Sequence, residues 1–190
     1  VAHNLPGVLS GKLRNRSVLA GSASKAYAMT GWRCGWVLAP AEVVSACNAF
    51  QSHTTSNVCS ITQKAVVAAL TGDQNCVTVM LDEFRKRRDT LLETLTSDPR
   101  IRCVKPSGAF YLFPDISGLL SSGGIRTSVD FSKELLEKGH VAVTAGEAFD
   151  APGFVRISYA TSMDLLEQGA ARILEFAESH GARETSSKTL

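Results

Sequence analysis

Ser22, Lys25 and Arg33 are the residues whose types and spacing best support chemistry. The serine stands three positions before the lysine and the arginine eight after it, within SASKAYAMTGWRCG at residues 22–35. The lysine follows an apolar run and Gly21, a pattern that ends a buried strand. An amine held there is desolvated, and desolvation lowers its pKa because the charged form loses hydration. A neutral amine attacks carbonyls, so Schiff-base formation is the chemistry to expect. Hydroxyl and guanidinium groups are phosphate donors, the guanidinium through two parallel hydrogen bonds. An aldehyde that carries a phosphate, pyridoxal 5'-phosphate, would engage all three residues at once. Spacing alone leaves a second reading open, in which Lys25 is a surface lysine and Ser22 and Ser24 are turn residues. Ser22 and Lys25 also match the S-x-x-K of serine β-lactamases and penicillin-binding proteins, which requires S-D-N and K-T-G partners. Thr55-Ser56-Asn57 and Lys188-Thr189-Leu190 are poor substitutes for these, so a serine hydrolase is not favoured.

Positioning these groups takes a strand before the lysine and another around the arginine. Residues 17–20 read as a buried strand ending at Gly21, and residues 32–39 as a second, stopped by Pro40. Helices are expected over residues 41–51, with Val43, Val44, Cys47 and Phe50 on one side, and over 60–71, closed by Gly72. The longest periodic stretch is 74–96, where Met80, Phe84, Leu91 and Leu95 share a helical face. Its basic run, Arg85 to Arg88, reads as an ion-paired face rather than a nucleic-acid patch. Glu83 precedes Arg87, and Arg85 precedes Asp89, by one helical turn. After Pro99, short strands are expected at 101–105, 109–113, 141–143 and 154–159, with a helix at 128–138 ended by Gly139. The Gly/Ser-rich segment 117–124 reads as a mobile loop. Thr161-Ser162-Met163-Asp164 fits a capping box that opens a helix to about residue 178, and the polar tail from Gly181 reads as disordered. Alternating helices and strands give an α/β or α+β class, with the long helix as the seam between two subregions.

Composition narrows the function classes. The chain has 190 residues, 44% of them hydrophobic and 20% charged, with a net charge of +2. These values are ordinary for a soluble globular protein of one or two domains. Without a long basic block, nucleic acid is not an expected partner. No apolar run approaches the ~20 residues of a membrane span, and no charged-then-apolar leader opens the chain, so neither a membrane nor a signal peptide is expected. The cysteines, Cys34, Cys47, Cys59, Cys76 and Cys103, are odd in number and form no CxxC pair. They read as free, mostly buried thiols of a reducing cytosol, and no metal is expected.

The stretch at residues 22–36 closely resembles the cofactor-lysine signature of class I, fold type I, pyridoxal-phosphate-dependent aminotransferases of the aspartate aminotransferase-like group. Further motifs follow in family order. QSHTTSN (51–57) with SITQK (60–64) resembles the next loop and helix of bacterial-type members. PSGAFY (106–111) with FPD (113–115) resembles a small-domain strand. FVRISYA (154–160) resembles the strand that bears the substrate-carboxylate arginine. Together they cover nearly the whole chain.

The resemblance implies an α/β piece: residues 1–75 as the C-terminal part of a large, mostly parallel-sheet domain, 76–97 as a connecting helix, 98–180 as a small α+β domain, and 181–190 as a tail. It implies Lys25 as the catalytic residue, holding pyridoxal phosphate as a Schiff base and then moving a proton between the substrate Cα and the cofactor. Ser22 and Arg33 would bind the cofactor phosphate, and Arg156 the substrate α-carboxylate by a two-point link. Val155 and Ile157 alternate with Arg156, as for an inward charge that needs a partner; an exposed edge-strand arginine is the bland alternative. Phe110 and Tyr111 either lie near the substrate or form a core pair, and Tyr27 and Trp32 read as packing residues. The implied reaction is ping-pong transamination of an amino acid, aspartate or related, with a 2-oxo acid, in a cytoplasmic homodimer. A non-catalytic aminotransferase-like binding or dimerisation module of a regulator is the alternative.

Two departures from the family pattern stand out. Thr144-Ala145-Gly146 occupies the place of a proline-glycine turn, which removes a backbone constraint. The family is also roughly twice this length. Its N-terminal half supplies a glycine-rich phosphate loop, an aromatic stacked on the cofactor ring, an aspartate at the ring nitrogen and a tyrosine at the ring hydroxyl. The chain, which opens on Val1, therefore reads as a C-terminal portion expected to be inactive alone.

Overall fold

A computed structural model of the chain describes residues 11–120 and 124–181. The tip of the expected mobile loop, 121–123, and the tail beyond 181 lie outside the described residues. The chain divides into two compact units, Val1–Met80 and Leu81–Leu190, and the division falls inside the long helix.

In the first unit, β1 (Leu19–Ser22) pairs antiparallel with β2 (Gly35–Leu38), in register from Leu19 opposite Leu38 to Ser22 opposite Gly35. Glycine is needed twice for this close approach. A Cβ on Gly21 would stand 2.5 Å from the Trp36 indole nitrogen, and one on Gly35 would stand 2.8 Å from the Gly21 carbonyl oxygen. β2 starts later than its apolar run because Thr30–Trp32 forms a 3-10 turn and Arg33 takes a left-handed backbone, and β1 starts at Leu19 rather than at residue 17. Helix α1 (Ala41–Thr54) begins where the Pro40 carbonyl accepts the Val43 and Val44 amides, at 3.0 and 3.1 Å. Helix α2 (Ser60–Thr71) ends at Gly72 as its sequence predicts, and α3 (Asn75–Leu95) follows after a short turn.

The expected burial is not found here. Among the described residues of this unit only Ala23, Thr62 and Val66 are buried, while β2 is exposed along its length and Phe50 is 73% exposed. Trp32, expected to pack, is exposed too. Every strand pairing among the described residues is antiparallel. Parallel pairing needs a crossover, usually a helix, and the segment joining β1 to β2 holds only turns.

The second unit holds the core. Its sheet has the order β3 (Tyr111–Leu112), β5 (Val155–Ser158), β4 (Thr144–Ala145). Leu112, Val155 and Ile157 from this sheet are buried with Leu91 and Leu95 of α3 and Leu166, Ala170, Ile173 and Ala177 of the last helix. The spacing of that last set is one helical face. Strand lengths fall short of expectation: 101–105 contributes a single bridge, Arg102 opposite Asp115, and the strand expected at 141–143 lies at Thr144–Ala145.

Helix α4 (Ser128–Glu134) opens on a reciprocal cap that the sequence reading missed. The Thr127 hydroxyl accepts the Asp130 amide at 3.0 Å, and the Asp130 carboxylate accepts the Thr127 amide at 3.1 Å. A π turn, Leu135–Gly139, then ends it at a left-handed His140. Helix α5 (Met163–Gly181) is capped by Ser162, whose hydroxyl accepts the Leu165 amide at 3.4 Å, one residue later than the expected Thr161.

Two surface expectations also change. Arg87 pairs with Glu83 at 3.1 Å as expected, but Arg85 takes Asp82 at 2.8 Å, while Asp89 is held by Arg88 and Lys105. All five cysteines are free, yet Cys34 and Cys103 are only half-buried and the other three are exposed.

Candidate active site

Ser22, Lys25 and Arg33 lie on one short connection. Ser22 ends β1 opposite Gly35, and the Ala23 amide donates to the Cys34 carbonyl at 3.3 Å, so the strand pairing continues to the base of the loop. Lys25 sits in the turn above. The Tyr27 amide donates to the Ala23 carbonyl and the Ala28 amide to the Lys25 carbonyl, each at 3.3 Å. The Thr30 hydroxyl reaches the Ser24 carbonyl at 3.4 Å, and the Arg33 guanidinium donates to the Thr30 carbonyl at 3.0 Å. The loop therefore closes on itself through Thr30, with Arg33 folded against it.

Two residues of this connection hold positive φ without being glycine: Ala28 at 52° and Arg33 at 53°. Each costs about 1 kcal/mol of backbone strain. Strain of this kind collects where a side chain must be aimed. At position 33 a glycine would relieve the strain but remove the guanidinium.

Lys25 is exposed in this structure, which overturns the expectation of a desolvated amine. Of residues 23–34 only Ala23 is buried; Ser24, Tyr27, Met29 and Cys34 are half-buried and the others exposed. Ser22 and Arg33 are exposed as well. Tyr27, expected only to pack, makes a polar contact, its hydroxyl donating to the Gln74 side-chain carbonyl at 2.8 Å. Gln74 in turn donates to the carbonyls of Ala69 and Gly72, at 3.0 and 2.8 Å, which anchors the lysine turn to the end of α2.

Arg156 belongs to the second unit, at the middle strand of its sheet, opposite Thr144. Its neighbours Val155 and Ile157 are 1% and 7% exposed, so the strand alternates as the sequence predicts, with Arg156 half-buried on the other face. The guanidinium carbon lies 4.5 Å from the Tyr111 ring centroid and 4.7 Å from that of Phe149. Phe149 was not singled out by sequence. Tyr111 packs on Phe110 with ring centroids 4.6 Å apart. Among the described residues no carboxylate pairs with Arg156, and no cluster of His, Cys, Asp or Glu could hold a metal ion.

Comparison with known proteins decides the family. The family described as aminotransferase class I and II matches residues 9–173. The chain is a class I and II aminotransferase family member. It is similar to an aspartate aminotransferase of Geobacillus stearothermophilus, 42% identical over 170 residues that make up 90% of this chain and 43% of that protein. An aspartate/prephenate aminotransferase of Nitrosomonas europaea is 44% identical over 167 residues, 85% of this chain and 42% of that one. The crystal structure of the aspartate aminotransferase from Rhizobium meliloti superposes with a TM-score of 0.87 at 40% identity, covering 91% of this chain and 44% of that chain. This aminotransferase chain thus spans less than half the length of the relatives it matches.

Membership implies pyridoxal phosphate as the cofactor. The donor set at the β1–β2 connection fits such a group: Ser22, Lys25 and Arg33, a hydroxyl, a primary amine and a guanidinium, are exposed residues of one short stretch, and these are the groups a phosphorylated aldehyde engages.

Proposed function

We propose that this aminotransferase chain carries the lysine, phosphate and carboxylate contacts of an enzyme that transaminates an amino acid, aspartate or a close relative, with a 2-oxo acid. What carries the proposal is the single connection that presents Ser22, Lys25 and Arg33 together, closed through Thr30 and anchored through Tyr27. When bound, pyridoxal phosphate supplies an aldehyde for an amine to condense with and a ring that takes up electrons as the substrate Cα–H bond breaks. Lys25 is the amine that tethers it and the base that carries the Cα proton. Ser22 and Arg33 hold its phosphate, with the left-handed backbone at Arg33 aiming the guanidinium. Arg156 takes the substrate α-carboxylate edge-on, since its fork matches two carboxylate oxygens.

Aspartate as donor is proposed on likeness to the aspartate aminotransferases named above, and a homodimer on the family resemblance of the sequence motifs. The lysine turn is exposed in this chain, so the 190 residues alone are expected to show little or no turnover. Borohydride reduction of the chain with pyridoxal phosphate, followed by peptide mass spectrometry, tests the central point. The adduct is expected on Lys25; an adduct spread over surface lysines, unchanged in Lys25→Ala, would remove the assignment. Full turnover by the 190-residue chain would refute its proposed dependence on further groups.

A further inference from the structure

Arg156 is held by something other than an acid. Its two close neighbours are the rings of Tyr111 and Phe149, and no described carboxylate pairs with it. The sheet register explains the first ring. Tyr111 stands opposite Ser158, and Arg156 is two residues before Ser158 on the same face. That diagonal lies within reach of long side chains. Phe149 arrives by another route. It ends the 3-10 turn Gly146–Phe149, which follows directly on β4, and β4 pairs with β5 at Arg156 itself.

Both rings are themselves braced. Phe149 meets the edge of Phe113 at 5.9 Å, Phe113 stacks on Phe154 at 5.2 Å, and Tyr111 packs on Phe110. Guanidinium over an aromatic face is attractive through the ring quadrupole, and the contact leaves the in-plane N–H groups unspent. An acidic partner would use those same donors.

We propose that Tyr111 and Phe149 are positioning residues that orient the Arg156 guanidinium by ring contact while keeping its hydrogen-bonding edge open for an incoming carboxylate. This rests on the assignment of Arg156 to the substrate carboxylate, and extends it to what holds the arginine ready. Pre-orientation by rings costs no donor, whereas an ion pair would have to break before substrate could bind.

The test uses the full 190-residue chain and nitrogen-15 NMR of the Arg156 side chain. Hindered rotation about Nε–Cζ and ring-current-shifted guanidinium signals are expected in the wild type. Phe149→Leu and Tyr111→Leu should free the rotation, while Phe149→Tyr and Tyr111→Phe, which keep a ring, should restore it. Free rotation in the wild type, or hindrance untouched by Phe149→Leu, overturns the proposal. Phe149 is 43% exposed, so its replacement spares the core, and unchanged amide spectra elsewhere verify folding.

Titration with maleate then separates the two assignments. A response of the Arg156 signals that needs about threefold to tenfold more maleate in Phe149→Leu supports the positioning role. Equal responses in wild type and Phe149→Leu overturn it. Hindered rotation with no maleate response in the wild type overturns the carboxylate assignment and the open-edge role together.

Discussion

At the scale of single residues, the proposed phosphate contact turns on Arg33. Arg33 is a left-handed, non-glycine residue whose guanidinium already leans on the Thr30 carbonyl. Arg33→Lys keeps the charge but loses the planar fork. Retention of pyridoxal phosphate is expected to weaken about tenfold to hundredfold, the value of a charge-assisted hydrogen bond. Retention of pyridoxal, which lacks the phosphate, should not change. Equilibrium dialysis with both compounds checks this, and equal losses would place Arg33 away from the phosphate. Tyr27 acts at one remove: Tyr27→Phe breaks its bond to Gln74 and should slow adduct formation at Lys25 several-fold without moving the labelled site, as followed by absorbance and peptide mapping.

At the scale of elements, ion pairs and caps fix how pieces meet. Asp89 on α3 accepts from Arg88 at 2.7 Å and lies 2.9 Å from Lys105, joining the helix to the strand-poor stretch after Pro99. The hydrogen bond from Arg88, then that from Lys105, holds its carboxyl below the ordinary range, at about 2. A carboxylate with a depressed folded-state pKa stabilises above its unfolded pKa and loses that contribution as pH falls. The window runs from about pH 4 down to about pH 2. Asp98, lowered by the hydrogen bond from Arg100, and Asp115, lowered by Ser117, act in the same direction. The side chain of Asp89 is 47% exposed, so solvent screening keeps its share under ~1 kcal/mol. Acid titration followed by circular dichroism should show Asp89→Asn flattening stability loss across this window; a parallel curve would show the pair to be inert. Thr127→Ala removes one arm of the α4 cap and should cost about 1 kcal/mol in urea melts.

At the scale of the whole molecule, the two units differ in kind. Leu95 is 1% exposed within the second unit's core, whereas Val67 of the first unit is 56% exposed. Leu95→Ala is therefore expected to cost about 2–5 kcal/mol and Val67→Ala under about 0.5 kcal/mol, as read from denaturant midpoints. Native-state hydrogen exchange should protect β5 and α5 strongly and leave β1, β2 and α1 fast. Uniform protection across both units would contradict the burial pattern.

Sequence by itself determined what is local. Periodicity and stop signals placed α2 and nearly all of α3, because a helix closes its hydrogen bonds within a few residues. Motif spacing put Ser22, Lys25 and Arg33 on one connection, and alternation put Arg156 opposite Val155 and Ile157. The cap at Thr127 and Asp130 is legible as a spacing, yet the pattern at Thr161 is the more conspicuous of the two. What tertiary structure alone decided is non-local. The lysine proved exposed, since burial is set by side chains from distant chain that a strand-like run cannot reveal. β1 and β2 pair antiparallel because the connection between them carries no crossover helix. Phe149 met Arg156 only once β4 and β5 were paired, since strand pairing is fixed by register across the fold and not by neighbours in the chain.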